Sequence, residues 1–230
     1  MYLCTLTHYK MTNTGKIELM APAGNFESLQ AAIDNGADSV YFGVDQLNMR
    51  ARASINFTIA DLDEIARRCA PKGIRTYLTL NTIIYDHDLS IIKTLLDAAK
   101  KAVLTAVIAM DQAVIAYARQ IGMEVHISTQ INITNIETVR FYAMFADTMV
   151  MSRELSLRQI KKICEQIEKE QIKGPSGNLV EIEIFGHGAL CMAVSGKCYL
   201  SLHSHNSSAN RGACKQNCRK KYTVIDQESG

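Results

Sequence analysis

The sequence predicts an α/β fold: a TIM-like (β/α) barrel, complete or one strand short, followed by a Cys-rich irregular C-terminal segment. Three observations lead there. From Ile17 to Phe185, short β-rich runs alternate with helix-patterned segments seven times. The connections are short, which makes the strands parallel, and seven parallel strands curl more readily than they lie open. After Gly186 the periodicity stops, and four of the seven cysteines fall in what remains.

The predicted strands are Ile17–Met20, Ser39–Phe42, Arg75–Leu80, Ala106–Ala109, Glu124–Ser128, Thr148–Met151 and Val180–Phe185. Phe26, Leu29 and Ile33 share one helical face after the N-cap Asn25, and Gly36 closes that helix. Leu62, Ile65, Ala66 and Cys69 repeat the pattern after Thr58, which has Asp61 at capping-box spacing, and Pro71 with Gly73 stops it. Further helices fit Asp88–Lys101, Gln112–Gln120, Ile136–Phe145 and Ser156–Glu170. Gln171–Asn178 reads as a loop, and Tyr222–Ile225 as one arm of a strand pair. The expected organisation is a disordered lead-in at 1–16, within which Met11 is a candidate start, a barrel at 17–185 and a Cys-rich segment at 186–230. The last reads as cut from a longer protein.

At 230 residues, 47% hydrophobic and 21% charged, the chain has the composition of a globular protein with a full core. No apolar run approaches the ~20 residues of a membrane span, so no membrane partner is expected. An odd cysteine count, with three in core-like stretches, predicts a reducing, cytoplasmic setting over a disulfide framework. Oligomeric state is not legible.

Cys191, Cys198, Cys214 and Cys218 form a C-x6-C-x15-C-x3-C array. Between Ile184 and Ile225 there is no Asp or Glu, but there are Lys197, Arg211, Lys215, Arg219, Lys220 and Lys221. Cations favour the thiolate, which is the metal-binding form, and also favour an anionic partner. The spacing matches neither common zinc ribbons nor the ferredoxin run. An iron–sulfur cluster, a structural zinc and unligated thiols all remain open. In a barrel, chemistry gathers at the C-terminal strand ends. Those positions bring up Asn81, Asp111, Ser128 to Gln130, Ser152 to Glu154, and His187. Asp111, Glu154 and His187 are the candidate proton handlers; His187 also stands four residues before Cys191. Asn48, Arg50 and Arg52 follow the second strand, where an Arg pair grips a carboxylate or phosphate or is simply solvated. There is no HExxH helix, G-x-S-x-G elbow or P-loop.

Glu183-Ile-Phe-Gly-His-Gly-Ala-Leu-Cys191, Ser195-Gly-Lys-Cys198 and Ser201 closely resemble the signature of the collagenase-like peptidase family of unknown catalytic type. Ala21-Pro-Ala-Gly-Asn25, Asn81, Ser128-Thr-Gln130, Arg153-Glu-Leu155, Asn210-Arg-Gly-Ala-Cys214 and Cys218-Arg-Lys-Lys-Tyr222 extend the resemblance across Ile17 to Tyr222. The family includes collagen-degrading members and RNA-modifying ones. One branch serves prephenate-dependent hydroxylation of the tRNA wobble uridine, another hydroxylation of a ribosomal RNA cytidine. A third supports ubiquinone hydroxylation and holds a [4Fe–4S] cluster on four cysteines.

The resemblance implies that Cys191, Cys198 and Cys218 are three cluster ligands, with the fourth either Cys214 or beyond Gly230. It implies an iron–sulfur-dependent tRNA hydroxylase that converts wobble uridine to 5-hydroxyuridine with prephenate, a small dicarboxylate, as co-substrate. Asn48, Arg52, Asn81, Gln130, Arg153, Arg211 and Arg219 are the expected substrate-binding residues. A peptidase, with zinc in place of the cluster, and a non-enzymatic metal-stabilised RNA-binding module are the alternatives.

Overall fold

The computed structural model describes residues 17–44, 47–49, 57–188, 190–223 and 225–227. Seven parallel strands follow one another in chain order: β1 (Met20–Pro22), β2 (Ser39–Phe42), β3 (Arg75–Leu80), β4 (Ala106–Ala109), β5 (Glu124–Ile127), β6 (Thr148–Val150) and β7 (Glu181–Glu183). Helices α1 (Phe26–Asp34), α2 (Leu62–Cys69), α3 (Leu89–Lys101), α4 (Gln112–Gln120), α5 (Ile136–Tyr142) and α6 (Leu157–Glu170) fill the crossovers. This is a curled TIM-like sheet. Among the described residues β1 and β7 are its two edges, with no eighth strand between them.

Local chemistry explains the helix starts. The Asn25 side chain accepts from Ser28 N at 2.8 Å, and Ser156 and Gln159 cap each other at the start of α6. The Thr58–Asp61 box caps a 3₁₀ turn that runs into α2. Val40, Phe42, Leu78, Leu80, Val107, Ala109, Val125, Ile127 and Met149 form the outer strand face, none more than 1% exposed, and pack in one core with helix residues such as Leu29, Ile65, Leu95 and Val114. The inner face alternates with it: Tyr77, Ala106 and Ile108 form a separate buried cluster with Met20 and Tyr41.

Several boundaries differ from the sequence reading. β1 starts at Met20 because the backbone at Leu19 is taken by the Asp38 side chain and by the N–H groups of Asp38 and Ser39. Pro22 closes this strand, a position an edge tolerates. β7 is shorter than expected: Val180 N bonds to Ile172 O, and Ile184 and Phe185 leave the ladder and are exposed. The segment after Gly186 is less irregular than expected, holding helix α7 (Leu200–His205) and 3₁₀ turns at Ala209–Arg211 and Asn217–Arg219. Lys221, Tyr222 and Thr223 make no strand, and the Tyr222 hydroxyl donates to Asn217 O at 2.6 Å. No helix among the described residues is long and apolar enough to cross a membrane.

Candidate active site at the C-terminal rim

The strand ends assemble side-chain amides. Asn48 is fully buried against Gly43, where a Cβ would come within 2.4 Å of its Cγ, so the pair requires glycine. Asn81, just past β3, accepts from Met49 N at 3.1 Å and donates to Ser128 Oγ at 3.4 Å. It thereby ties the loop after β2 to the ends of β3 and β5. Ser128 caps the 3₁₀ turn carrying Gln130, whose Oε1 is buried and has no hydrogen-bond partner among the described residues. These amides are the part of the expected substrate-binding set that the structure brings together. Arg52, like Arg50, lies outside the described residues.

The arginines behave differently. Arg153 donates to Ser195 Oγ from Nε (3.1 Å) and Nη2 (2.5 Å). Arg211 forms a bidentate pair with Asp88 (2.6 and 3.2 Å), donates to Ile83 O at 2.9 Å, and lies 4.7 Å from the Tyr85 ring. Asp88 is 4% exposed, and the guanidinium beside it holds its carboxyl below the ordinary carboxylate range. Arg211 was expected to bind substrate; here its fork is committed to Asp88, so its visible work is positioning. Arg219 is exposed, with Nη1 3.4 Å from Gln216 Oε1.

The other contacts extend the same pattern. Asn132, in the left-handed region at φ +59°, donates to Gln130 O and to Ser195 O. Asn210 is buried; its O accepts from Ile83 N and its Oδ1 from Cys198 N, both at 3.1 Å. Gly196, at φ +72°, passes so close that a Cβ would meet Gln130 O at 2.7 Å. Residues 195–211 are thus docked on the rim by polar clamps.

The proton-handling candidates separate. Asp111 caps α4 through Ala113 N (2.9 Å) and accepts from Ile84 N (3.2 Å), so both carboxylate oxygens have structural partners. Glu154 is exposed; the Ser152 hydroxyl, then its own backbone N–H, hold its carboxyl below the ordinary range. It is therefore an acceptor at neutral pH. His187 is exposed on the stretch after β7.

The cysteines divide into two chemical classes. Burial pushes the Cys69 thiol up to about 11 and raises that of Cys164, so both are inert thiols. Cys191, Cys214 and Cys218 are exposed and Cys198 is half-buried, all free of disulfides. As donors they suit a thiolate-bound metal or cluster. Their placement does not form one: among the described residues no three His, Cys, Asp or Glu side chains gather closely enough to share a metal ion. No chemical step is therefore assigned to a cluster.

The sequence reading missed Asn132, Ser195, Asn210 and Asp88 as site-building residues. Asn132 carried a signal, since Asn is the side chain that best tolerates a left-handed turn. The Asp88–Arg211 pair spans 123 positions and carried none.

With this geometry in place, the comparisons with known proteins are specific. The model of peptidase family U32 matches residues 24–230. The chain belongs to that family. A collagenase of Porphyromonas gingivalis (strain W83) is 58% identical over 218 residues, covering 95% of this chain and 53% of the relative. The tRNA hydroxylation protein P1 of Bacillus subtilis is 34% identical over 229 residues, covering 98% of this chain and 51% of the relative. The chain thus spans about half the length of these curated relatives. Among solved structures, the U32 peptidase Mk0906 shares the fold at TM-score 0.56 and 12% identity, covering 81% of this chain and all of Mk0906.

Proposed function

We propose that this chain is the barrel portion of an RNA hydroxylase that acts on a tRNA wobble uridine, with prephenate as the co-substrate. The observation that carries this reading is the character of the rim. Asn81 and Gln130 present side-chain amides at the rim, both tied to the buried Ser128 hydroxyl, and beside them is docked a segment without a single carboxylate between Ile184 and Ile225. That combination suits a base edge at the centre and a phosphate backbone around it. A tRNA hydroxylation protein among the relatives supports the same reading.

In this account Asn81 and Gln130 orient the base, and Lys215, Arg219, Lys220 and Lys221 attract the backbone. Arg153 and Arg211 fix the stretch 195–211, from which these cations follow on directly. A small dicarboxylate would be drawn by the same cationic surface and by Arg52. A [4Fe–4S] cluster, when bound, would supply electron-transfer chemistry, and Cys191, Cys198, Cys214 and Cys218 are its proposed ligands. Cytoplasmic RNA is the corresponding location of work.

The P. gingivalis collagenase favours a second reading, proteolysis. Its best foothold is the contact of the Ser152 hydroxyl with the Glu154 carboxylate. That pair lacks the orienting third group of a serine nucleophile, and Ser195 is bound by Arg153.

Two measurements on the full-length protein discriminate. Anaerobic purification with iron, sulfide and zinc quantified should yield iron and sulfide in the wild type and in Cys69→Ala. Cys191→Ala, Cys198→Ala and Cys218→Ala should each lose them. Equal iron in all five proteins would defeat the ligand assignment. Gelatin cleavage that survives purification and disappears in Ser152→Ala would establish the peptidase instead.

A further inference from the structure

The loop after β3 is held more firmly than its exposure suggests. Three successive backbone N–H groups are bound: Ile83 N to Asn210 O (3.1 Å), Ile84 N to Asp111 Oδ2 (3.2 Å) and Tyr85 N to Asp88 Oδ2 (2.9 Å). Ile83 O accepts from Arg211 Nη1 at 2.9 Å, and Tyr85 O accepts from Asp88 N at 2.8 Å. On this pinned backbone Tyr85 is nonetheless 52% exposed. A lone exposed aromatic would need no explanation. This one is not alone. The Arg211 guanidinium carbon lies 4.7 Å from the Tyr85 ring centroid. The His87 ring, its side chain 73% exposed, lies 5.7 Å from Tyr85 on the other count, centroid to centroid.

The three planar groups select their ligand. Guanidinium, phenol and imidazole planes are the surfaces on which unpaired bases stack. The Arg211 fork is committed to Asp88, so it does not grip a phosphate, but its plane stays beside Tyr85. The Tyr85 and His87 rings are tilted by 33° rather than parallel, and both are open to solvent. Between them in sequence, Asp86 is an exposed carboxylate, which repels a phosphate and tolerates an uncharged base. Lys215 and Arg219, which attract the backbone, follow Arg211 in the chain. Tyr85 itself stands just beyond Asn81, on the same rim as the amides.

Resting on the RNA reading above, we propose that Tyr85, backed by Arg211 and flanked by His87, is a stacking platform for one unpaired base of a single-stranded RNA. The platform accepts any base, because every base has a π face. It holds a nucleotide adjoining the one that Asn81 and Gln130 orient.

The chain has no tryptophan, so Tyr85→Trp places a single fluorescent reporter in the platform. The probe is dye-labelled single-stranded hexauridylate, titrated into the 230-residue chain and followed by anisotropy. Tryptophan emission should be quenched saturably and in step with the anisotropy. An abasic oligomer of the same length should not quench it. Tyr85→Phe should bind within about twofold of the wild type, and Tyr85→Leu about tenfold or more weaker. Circular dichroism checks folding, and the quenching alone decides the matter if Tyr85→Leu misfolds. If hexauridylate binds the wild type, yet leaves the tryptophan unquenched and binds Tyr85→Leu equally well, the platform fails and the RNA reading stands. If it does not bind the wild type, both fail. Equal quenching by the abasic oligomer would also overturn the platform, since the backbone alone would then suffice.

Discussion

The barrel wall and the segment docked on its rim are held by different forces. The wall, strands β1 to β7 with helices α1 to α6, rests on a continuous apolar core in which Leu78, Leu80, Leu96 and Ile127 are completely buried. The segment 195–211 is fixed by a bidentate ion pair, amide bonds and a close glycine contact, while Leu190, Met192 and Val194 before it and Tyr199 within it remain exposed. Apolar packing is non-directional and strong in aggregate; polar clamps are directional and each worth little net. The wall should therefore unfold as one unit, whereas the segment can release by breaking a few contacts. Such release would allow the cysteines to regroup.

Breaking the wall should have the largest effect. Leu78→Ala removes a fully buried side chain from the central sheet and should cost about 3 kcal/mol, with no protection of the segment surviving the loss of the wall in denaturant unfolding. A small loss, or a segment that stays protected after the wall has unfolded, would undo the contrast.

Arg211→Gln comes next. It leaves Asp88 buried without its cation and should cost about 2 kcal/mol. Hydrogen exchange should accelerate at 196–213 with much less change in β2–β5. Acid should mimic it. The Asp88 carboxyl is depressed by Arg211, so its contribution is fully present above the ordinary carboxylate pKa and is lost as pH falls through the lower native value. Protection of the segment should fade below about pH 4 while the sheet stays protected. Simultaneous loss would mean that the two regions are one cooperative unit.

Gly196→Ala forces a side chain into the left-handed region and against Gln130 O, costing about 1–2 kcal/mol at that contact alone. Smallest for stability is the quadruple change of Lys215, Arg219, Lys220 and Lys221 to Gln, expected within about 0.5 kcal/mol. RNA affinity should nonetheless fall and its salt dependence flatten. Unchanged affinity would place the RNA surface elsewhere.

Much of the wall was legible in the sequence. β2, β3, β4 and α4 have the residue bounds that alternation and helical periodicity predict, because burial on one face imposes those periods locally. Asn25 and the Thr58–Asp61 box were legible for the same reason. The segment was not: α7 is six residues long with a Ser- and His-rich sequence, too short to show periodicity. Arg153 and Arg211 were recognised as chemically important, but whether an arginine faces a substrate or Asp88 depends on contacts far apart in the chain. The polar inner face left a readable trace in Glu124 and His126 of β5 and Ser128 just after it, polar at every second position. A strand facing an aliphatic core on both sides would not show it.

The central claim is that this barrel serves RNA hydroxylation. It is tested most directly by mass spectrometry of tRNA nucleosides from cells that lack the full-length protein, re-express it, or carry Arg211→Gln. The account predicts 5-hydroxyuridine absent in the first, restored in the second and reduced in the third. Undiminished 5-hydroxyuridine without the protein would contradict it.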